Sequence, residues 1–283
     1  MNDTFKLLTA VIIFGTNGFF IRYINAPNET LIMARGLIGA LFIVFLMFLN
    51  KDYPEFKSIK KNLKYLLASG TLMGLSYIFL FKGYDYSISI TTLINNSAPI
   101  IALVISAIFL KEKINKKQNI CILLVVIGVL LVSGIFETKN ETNIASVVFG
   151  LISAIGYVFV LLINKKMKDI KPLDRSVIQL FMSFLVILPF AIYKNAIPSS
   201  LDQISIIFLI SMGMINTGLA YSLYFSAISV LPTSKIAIIG YLEPVIAIVI
   251  GTVIFNEQLT ILELLGCVLV ILAACVSELS ANK

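Results

Sequence analysis

Asn96-Ser97-Ala98-Pro99-Ile100-Ile101-Ala102 and, 145 residues later, Tyr241-Leu242-Glu243-Pro244-Val245-Ile246-Ala247 follow one pattern. In each, a proline interrupts an apolar run, and a glutamate stands 13 residues beyond it, Glu112 in the first copy and Glu257 in the second. The stretches around the glutamates also match: Phe109-Leu110-Lys111-Glu112-Lys113-Ile114 faces Ile254-Phe255-Asn256-Glu257-Gln258-Leu259. A fainter match, Phe14…Arg22 against Tyr157…Lys165 at an offset of 143, carries the likeness toward the start of each half. One slipped residue near 85–90 accounts for part of the drift in offset. Self-similarity of this kind marks a chain built from two copies of one structural unit.

The units are made of membrane helices. Of 283 residues, 59% are hydrophobic and 13% charged, with a mean hydropathy of +0.98. Soluble domains carry roughly twice that share of charge. The apolar runs lack period-two alternation and approach the roughly 20 residues a helix needs to cross a bilayer. Ten spans are expected: 5–24, 29–49, 64–82, 87–110, 118–136, 144–164, 174–193, 203–226, 232–255 and 260–279. Phe5–Ile24 has the look of a signal peptide, but the chain does not turn polar after it, so it is taken as the first span. The linkers are short, the longest being Lys51–Lys64, and leave no room for a soluble domain.

Lysine and arginine orient the spans. With the N-terminus inside, the inner segments hold seventeen of these residues and the outer segments four, Arg22, Lys82, Lys139 and Lys194. The expected fold is an all-α integral membrane protein with both termini cytoplasmic. Residues 1–136 form a first five-helix repeat and 137–283 a second. Five is odd, so the second repeat enters the membrane inverted. The loop around Glu112 is lysine-rich and inner, and its counterpart around Glu257 is outer and has no lysine or arginine. Inverted repeats are a feature of secondary carriers.

The positive net charge of +7 sits in short loops, which argues against nucleic-acid binding. Without histidine there is no His-based catalysis or His metal ligation, and no intramembrane acid pair is visible, so a membrane-embedded enzyme is disfavoured. No Gly-x4-Gly-Lys-Ser/Thr motif supports an ATP-driven pump. No metal or cofactor is expected. Cys121, Cys267 and Cys275 all lie in apolar runs and read as small buried hydrophobes.

Phe14-Gly15-Thr16-Asn17, Arg35-Gly36, Ala98-Pro99…Lys111-Glu112-Lys113, Leu242-Glu243-Pro244…Asn256-Glu257 and Gly266 resemble the drug/metabolite transporter superfamily, in its EamA-type branch. The resemblance covers essentially the whole chain. It implies a basket of helices around a central cavity, lined mostly by spans 3, 4, 8 and 9, with spans 1, 2, 6 and 7 moving around it and spans 5 and 10 at the edge. It also implies transport of a small molecule across a prokaryotic cytoplasmic membrane, by a monomer or homodimer in the lipid bilayer. Superfamily substrates run from amino acids and quaternary amines to sugars and drugs, so the likeness names none. A lipid or lipid-linked-sugar flippase, or an accessory membrane subunit, is the alternative.

Ionisable groups within spans cost several kcal/mol and call for a reason. Glu243 lies midway along span nine, just before Pro244, which frees a carbonyl one turn earlier. It is a candidate to bind a cationic group or a proton, against a structural role in pairing helices. Arg35, two turns into span two, is a candidate partner for a carboxylate or a structural ion pair, and its approximate repeat mate is Gln179. The polar residues Asn17, Asn95, Asn96, Asn216 and Gln179, with Tyr77, Tyr221 and Tyr224, complete the candidate pocket for substrate binding or coupling. Tyr77, Phe81 and Tyr84 share a helical face, but Tyr84 is expected to serve in plain packing or in an interfacial aromatic belt. Lys82 and Asp85 are expected to form a solvated pair, and Glu112 and Glu257 to organise helix ends. Gly15, Gly18, Gly70 and Gly74 are expected to be close-packing sites between helices.

Overall fold

The computed structural model describes residues 2–86, 88–98, 101–102, 105, 116–132, 144–167, 169–256 and 260–281. Pro99, Lys139, Glu112 with the rest of 111–115, and Glu257 lie outside the described residues, as does the side chain of Cys275. All regular structure among the described residues is helical. In chain order the helices are α1 (Asp3–Gly15), α2 (Asn17–Arg22), α3 (Asn28–Leu49), α4 (Phe56–Tyr84), α5 (Ile88–Asn95), α6 (Lys116–Val132), α7 (Ile144–Lys166), α8 (Pro172–Tyr193), α9 (Gln203–Met212), a π-helical segment (Gly213–Leu219), α10 (Ala220–Ile228), α11 (Thr233–Gly240), α12 (Leu242–Phe255) and α13 (Ile261–Ala281).

Seven helices or continuous helix pairs among the described residues are long and apolar enough to cross a membrane: Asp3–Arg22, Asn28–Leu49, Phe56–Tyr84, Ile144–Lys166, Pro172–Tyr193, Gln203–Ile228 and Thr233–Phe255. Their outward faces carry large apolar side chains, such as Leu41, Phe48, Ile207 and Val253. Helices suit this setting because they satisfy their own backbone where no water can.

Local sequence sets the ends. Asn2 caps α1 through Thr4 N–H, and Asp202 caps α9 through Ser205 N–H. Pro172 opens α8, where its missing N–H costs nothing. Asn256 closes α12 in the left-handed region, at φ 53°.

One boundary differs from expectation. The linker expected over Lys51–Lys64 is mostly helix, because α4 begins at Phe56. Its first turns are amphipathic. The lysines at 57, 60, 61 and 64 stay wet, while Ile59 packs with Leu66, Met167 and Ile170.

Three spans are interrupted. The first breaks at Thr16, between α1 and α2, and the ninth breaks at Tyr241, between α11 and α12. Pro244 has no N–H for the Gly240 carbonyl, which accounts for the second break. The Gln203–Ile228 helix passes through seven π-helical residues, Gly213–Leu219.

Glycines set the closest helix crossings. A Cβ built at Gly74 would lie 2.8 Å from Val186 Cβ and 3.1 Å from Ser183 O. Gly218 meets Phe42 and Gly39 O in the same manner. Among the described elements, α4 packs on α7 and α8, while the π segment and α10 pack on α3 and α1. Helix α3 crosses α8, α5 lies on α7, α12 lies on α1, and α6 pairs with α13.

Candidate functional site

Between these helices lies a cavity of about 510 Å³. Helices α1–α5, α7, α10, α11 and α12 all contribute to its wall, as does Met212 at the end of α9. The first, second and sixth expected spans therefore line it along with the third, fourth, eighth and ninth. Among the described residues, no lining residue comes from α6, α8 or α13.

The cavity narrows toward the end of the bundle that carries Lys165, Lys171 and Arg175. There its lining residues Val11, Val158, Leu161, Thr233 and Ile236 are buried, whereas Gly18, Ile21 and Asn28 at the far end are exposed. Polar contacts stitch the narrow end shut. Lys165 Nζ donates to Thr233 Oγ1 at 2.6 Å, Arg175 Nη1 to Phe225 O at 3.1 Å, and Lys6 Nζ to Ser226 Oγ at 3.3 Å. Outside the helices, Lys171 pairs with Asp52 at 2.5 Å, and the hydrogen bond to that carboxylate raises the Lys171 pKa above its ordinary value.

Eight of the ten expected residues line this one cavity: Asn17, Arg35, Tyr77, Asn95, Asn96, Tyr221, Tyr224 and Glu243. The Glu243 side chain is exposed to it. Among the described residues its carboxylate has no hydrogen-bond partner; the charge it feels is that of Arg35. Arg35 is 8% exposed and is held by its Nε, which donates to Thr217 Oγ1 at 2.8 Å. Its Nη groups make no hydrogen bond among the described residues, and no ion pair within 4 Å joins Arg35 to Glu243. A carboxyl group and a guanidinium thus face the same space without forming an ion pair with each other.

Aromatic rings form much of the wall. The Tyr77 and Tyr221 hydroxyls meet at 2.5 Å. Phe14 lies against Tyr221 and Tyr224, at centroid distances of 4.9 and 5.8 Å. Asn95 Oδ1 accepts from Ser153 Oγ at 2.9 Å, and Asn17 Oδ1 is buried without a partner among the described residues.

Two expected residues lie elsewhere. Gln179 is fully buried between α4, α7 and α8, where its Nε2 donates to Ser69 Oγ at 2.6 Å and to Asn164 Oδ1 at 3.1 Å. Asn216 projects from the π segment to the break in the first span, where its Nδ2 donates to Ile13 O at 2.6 Å and to Thr16 Oγ1 at 2.9 Å. The π register sends adjacent residues to different helices, Asn216 to α1 and Thr217 to Arg35 on α3. Such segments recur at functional sites.

The structure corrects three expectations. Tyr84 lines the cavity and accepts a hydrogen bond from Thr92 Oγ1 at 3.3 Å, because it shares the inward face of α4 with Tyr77 and Phe81. Asp85 pairs with Lys194 at 2.9 Å rather than with Lys82, since the start of the turn after α4 brings it to the end of α8. Gly18 is no close-packing site: nothing lies within 4 Å of where its Cβ would stand. Gly15, Gly70 and Gly74 are tightly packed as expected.

Sequence reasoning passed over Tyr157, which lines the cavity and is hydrogen-bonded to Tyr224. Its match to Phe14 in the repeat was the available signal, as Phe14 lines the same cavity.

Comparison with known proteins agrees with this architecture. The sequence pattern of the EamA-like transporter family matches twice, over residues 4–134 and 144–278. An uncharacterized transporter YxxF of Bacillus subtilis (strain 168) is 29% identical over 268 residues, covering 94% of this chain and 86% of its own. Protein PecM of Dickeya dadantii (strain 3937) is 23% identical, covering 95% and 90%. A probable amino-acid metabolite efflux pump of Escherichia coli (strain K12) is 22% identical, covering 95% and 92%. A solved crystal structure of another protein has the same fold, with a TM-score of 0.84 over 99% of this chain and 97% of that one, at 13% identity. The chain is a multi-pass membrane protein and belongs to the EamA-like transporter family.

Proposed function

We propose that this transporter is a secondary carrier that moves a small zwitterionic metabolite, an α-amino acid or a closely related amine, by alternating access. One observation carries the reading: Glu243 and the free Nη groups of Arg35 face a single cavity, unpaired with each other and with any other described side chain. The carboxylate is suited to the substrate ammonium and the guanidinium to its carboxylate. The tyrosines and Phe14 receive the carbon skeleton. Relatives named as probable amino-acid metabolite efflux pumps support this substrate class and outward transport.

The machinery follows from ten spans arranged as inverted repeats, 1–136 and 137–283, with both termini in the cytoplasm. Two matches of one family pattern, one in each half, support the division. The packing supports it too. Exchanging each span for the fifth one after it turns α4 on α7 into α10 on α1, and α5 on α7 into α11 on α1, and both members of each pair are observed. In this orientation the lysine-rich, stitched end faces the cytoplasm and the cavity faces outward. Glu243 serves as the coupling group, taking a proton when the substrate ammonium leaves.

Counterflow into proteoliposomes, using radiolabelled amino acids one at a time, tests the reading. Accumulation of at least one of them, lost in Glu243→Gln and in Arg35→Gln, is expected. No accumulation of any amino acid or amine by folded protein would sink it. Proton coupling is dropped if Glu243→Gln still transports under a pH gradient.

A further inference from the structure

Gly18 and Gly240 have no heavy atom within 4 Å of the place a Cβ would occupy. Eleven others, among them Gly15, Gly39, Gly70, Gly74 and Gly150, press against a neighbouring helix. Glycine inside a membrane helix forgoes packing and backbone stability, at roughly 1 kcal/mol relative to alanine. Close helix contact is its ordinary compensation, and neither of these two has it.

Both line the cavity that Glu243 also lines. Gly240 stands three residues before it, across the break at Tyr241. Its carbonyl cannot receive the usual helical hydrogen bond, because residue 244 is proline. Gly18 approaches from α2. One turn earlier, Gly15 is pressed against the Glu243 main-chain oxygen, at 3.1 Å from a built Cβ, and this fixes the position of the first span beside the acid. The cavity that Glu243 lines is therefore walled by bare backbone at these two positions.

We propose that Gly18 and Gly240 are specificity-determining residues. They keep open a compartment beside Glu243 that admits an organic ammonium head group, including one bearing carbon substituents. Bare backbone allows the cation to approach both the carboxylate and the Gly240 carbonyl. A side chain at either position would narrow the compartment from within the cavity without disturbing a helix contact. The proposal rests on Glu243 being the cation-binding group, but not on the substrate being an amino acid.

The test uses the full-length protein carrying Gly18→Cys or Gly240→Cys, labelled with aminoethyl methanethiosulfonate, a cation, or sulfonatoethyl methanethiosulfonate, an anion. Both variants are expected to keep the wild-type melting temperature. Each cysteine should react faster with the cation, on the order of tenfold after correction for reactivity with a free thiol. Tetramethylammonium should slow the labelling, and adding Glu243→Gln should abolish both the charge preference and the protection. The proposal is overturned if either variant fails to fold, since the open volume would then be wrong. It is also overturned if labelling does not exceed that of the unmodified chain, or if the charge preference survives Glu243→Gln. Failure of amino-acid counterflow with this labelling pattern intact removes the amino-acid reading and leaves the cation compartment standing.

Discussion

Tyr77 and Tyr221 stand 144 positions apart in the chain, and their hydroxyls meet at 2.5 Å. The same interval separates Gly36 from Leu180, whose main-chain oxygen lies 3.4 Å from a Cβ built at that glycine. It also converts the Gly74 contacts with Ser183 and Val186 into the Gly218 contacts with Gly39 and Phe42. In the proposed inverted-repeat arrangement, a residue that touches its own counterpart lies on the two-fold relating the copies. Under the proposed alternating access such a contact would be carried into itself when the two halves exchange conformations, and the tyrosine pair would persist in both states. Tyr77→Phe and Tyr221→Phe should each lower stability by about 0.6 kcal/mol, and by no more than about 1.7 kcal/mol. The double variant should lose little beyond either single one, because both remove the same bond. Denaturation of purified protein in detergent reads this directly, and additive losses would remove the shared bond from the account.

Glu243→Gln removes no hydrogen bond among the described residues, so its fold and melting temperature should be retained. Arg35→Gln breaks the bond to Thr217 and should cost stability as well as binding. A charged hydrogen bond contributes about 1.5–3 kcal/mol, so either variant should weaken the affinity of a transported amino acid by roughly 10- to 150-fold. Isothermal titration on both variants separates the two effects. Stability lost in Glu243→Gln with affinity unchanged would assign the acid to packing instead.

Gly15→Ala should destabilise the protein by about 1–3 kcal/mol, because the new methyl would stand 2.6 Å from Ile246 Cβ, with the Glu243 main chain close behind. Gly70→Ala meets Met182 Cβ at the same distance and should behave alike. Thermal melts of the two, compared with Gly18→Ala, provide the check. A Gly18→Ala loss as large as the others would contradict the open space observed beside it.

Seven of the spans, the break before Pro244 and the acid beside it were legible because each rests on a signal local in sequence. Long apolar runs announce membrane helices, Pro244 announces the break at Tyr241, and an acid in an apolar run announces itself. Eight of the ten expected residues converge on one cavity for the same reason: a polar group that faces neither lipid nor a helix partner must face an opening. What escaped the sequence depends on which way a helix is turned. Asn216 is as polar as Asn17, but the π segment rotates it onto the break in the first span. Tyr84 has the composition of an interfacial residue, but its helical phase with Tyr77 puts it inside. Gly18 carries no sequence mark that separates it from Gly15, and only the neighbouring helix does so.

Gln179 gives the sharpest contrast with Arg35, its approximate counterpart in the other half. Arg35 leaves its terminal nitrogens free toward the cavity, whereas the Gln179 amide is consumed by Ser69 and Asn164, which fasten α8 to α4 and α7. Gln179→Ala should therefore leave two buried polar side chains short of a partner, at a cost of about 1–3 kcal/mol. Gln179→Leu, which restores volume but not hydrogen bonding, should recover only part of the loss. Neither should alter the affinity for a transported amino acid, because neither touches the cavity wall. Melting and titration on the same preparations decide the matter: a fall in affinity in Gln179→Leu at near-normal stability would move Gln179 from the scaffold into the binding site.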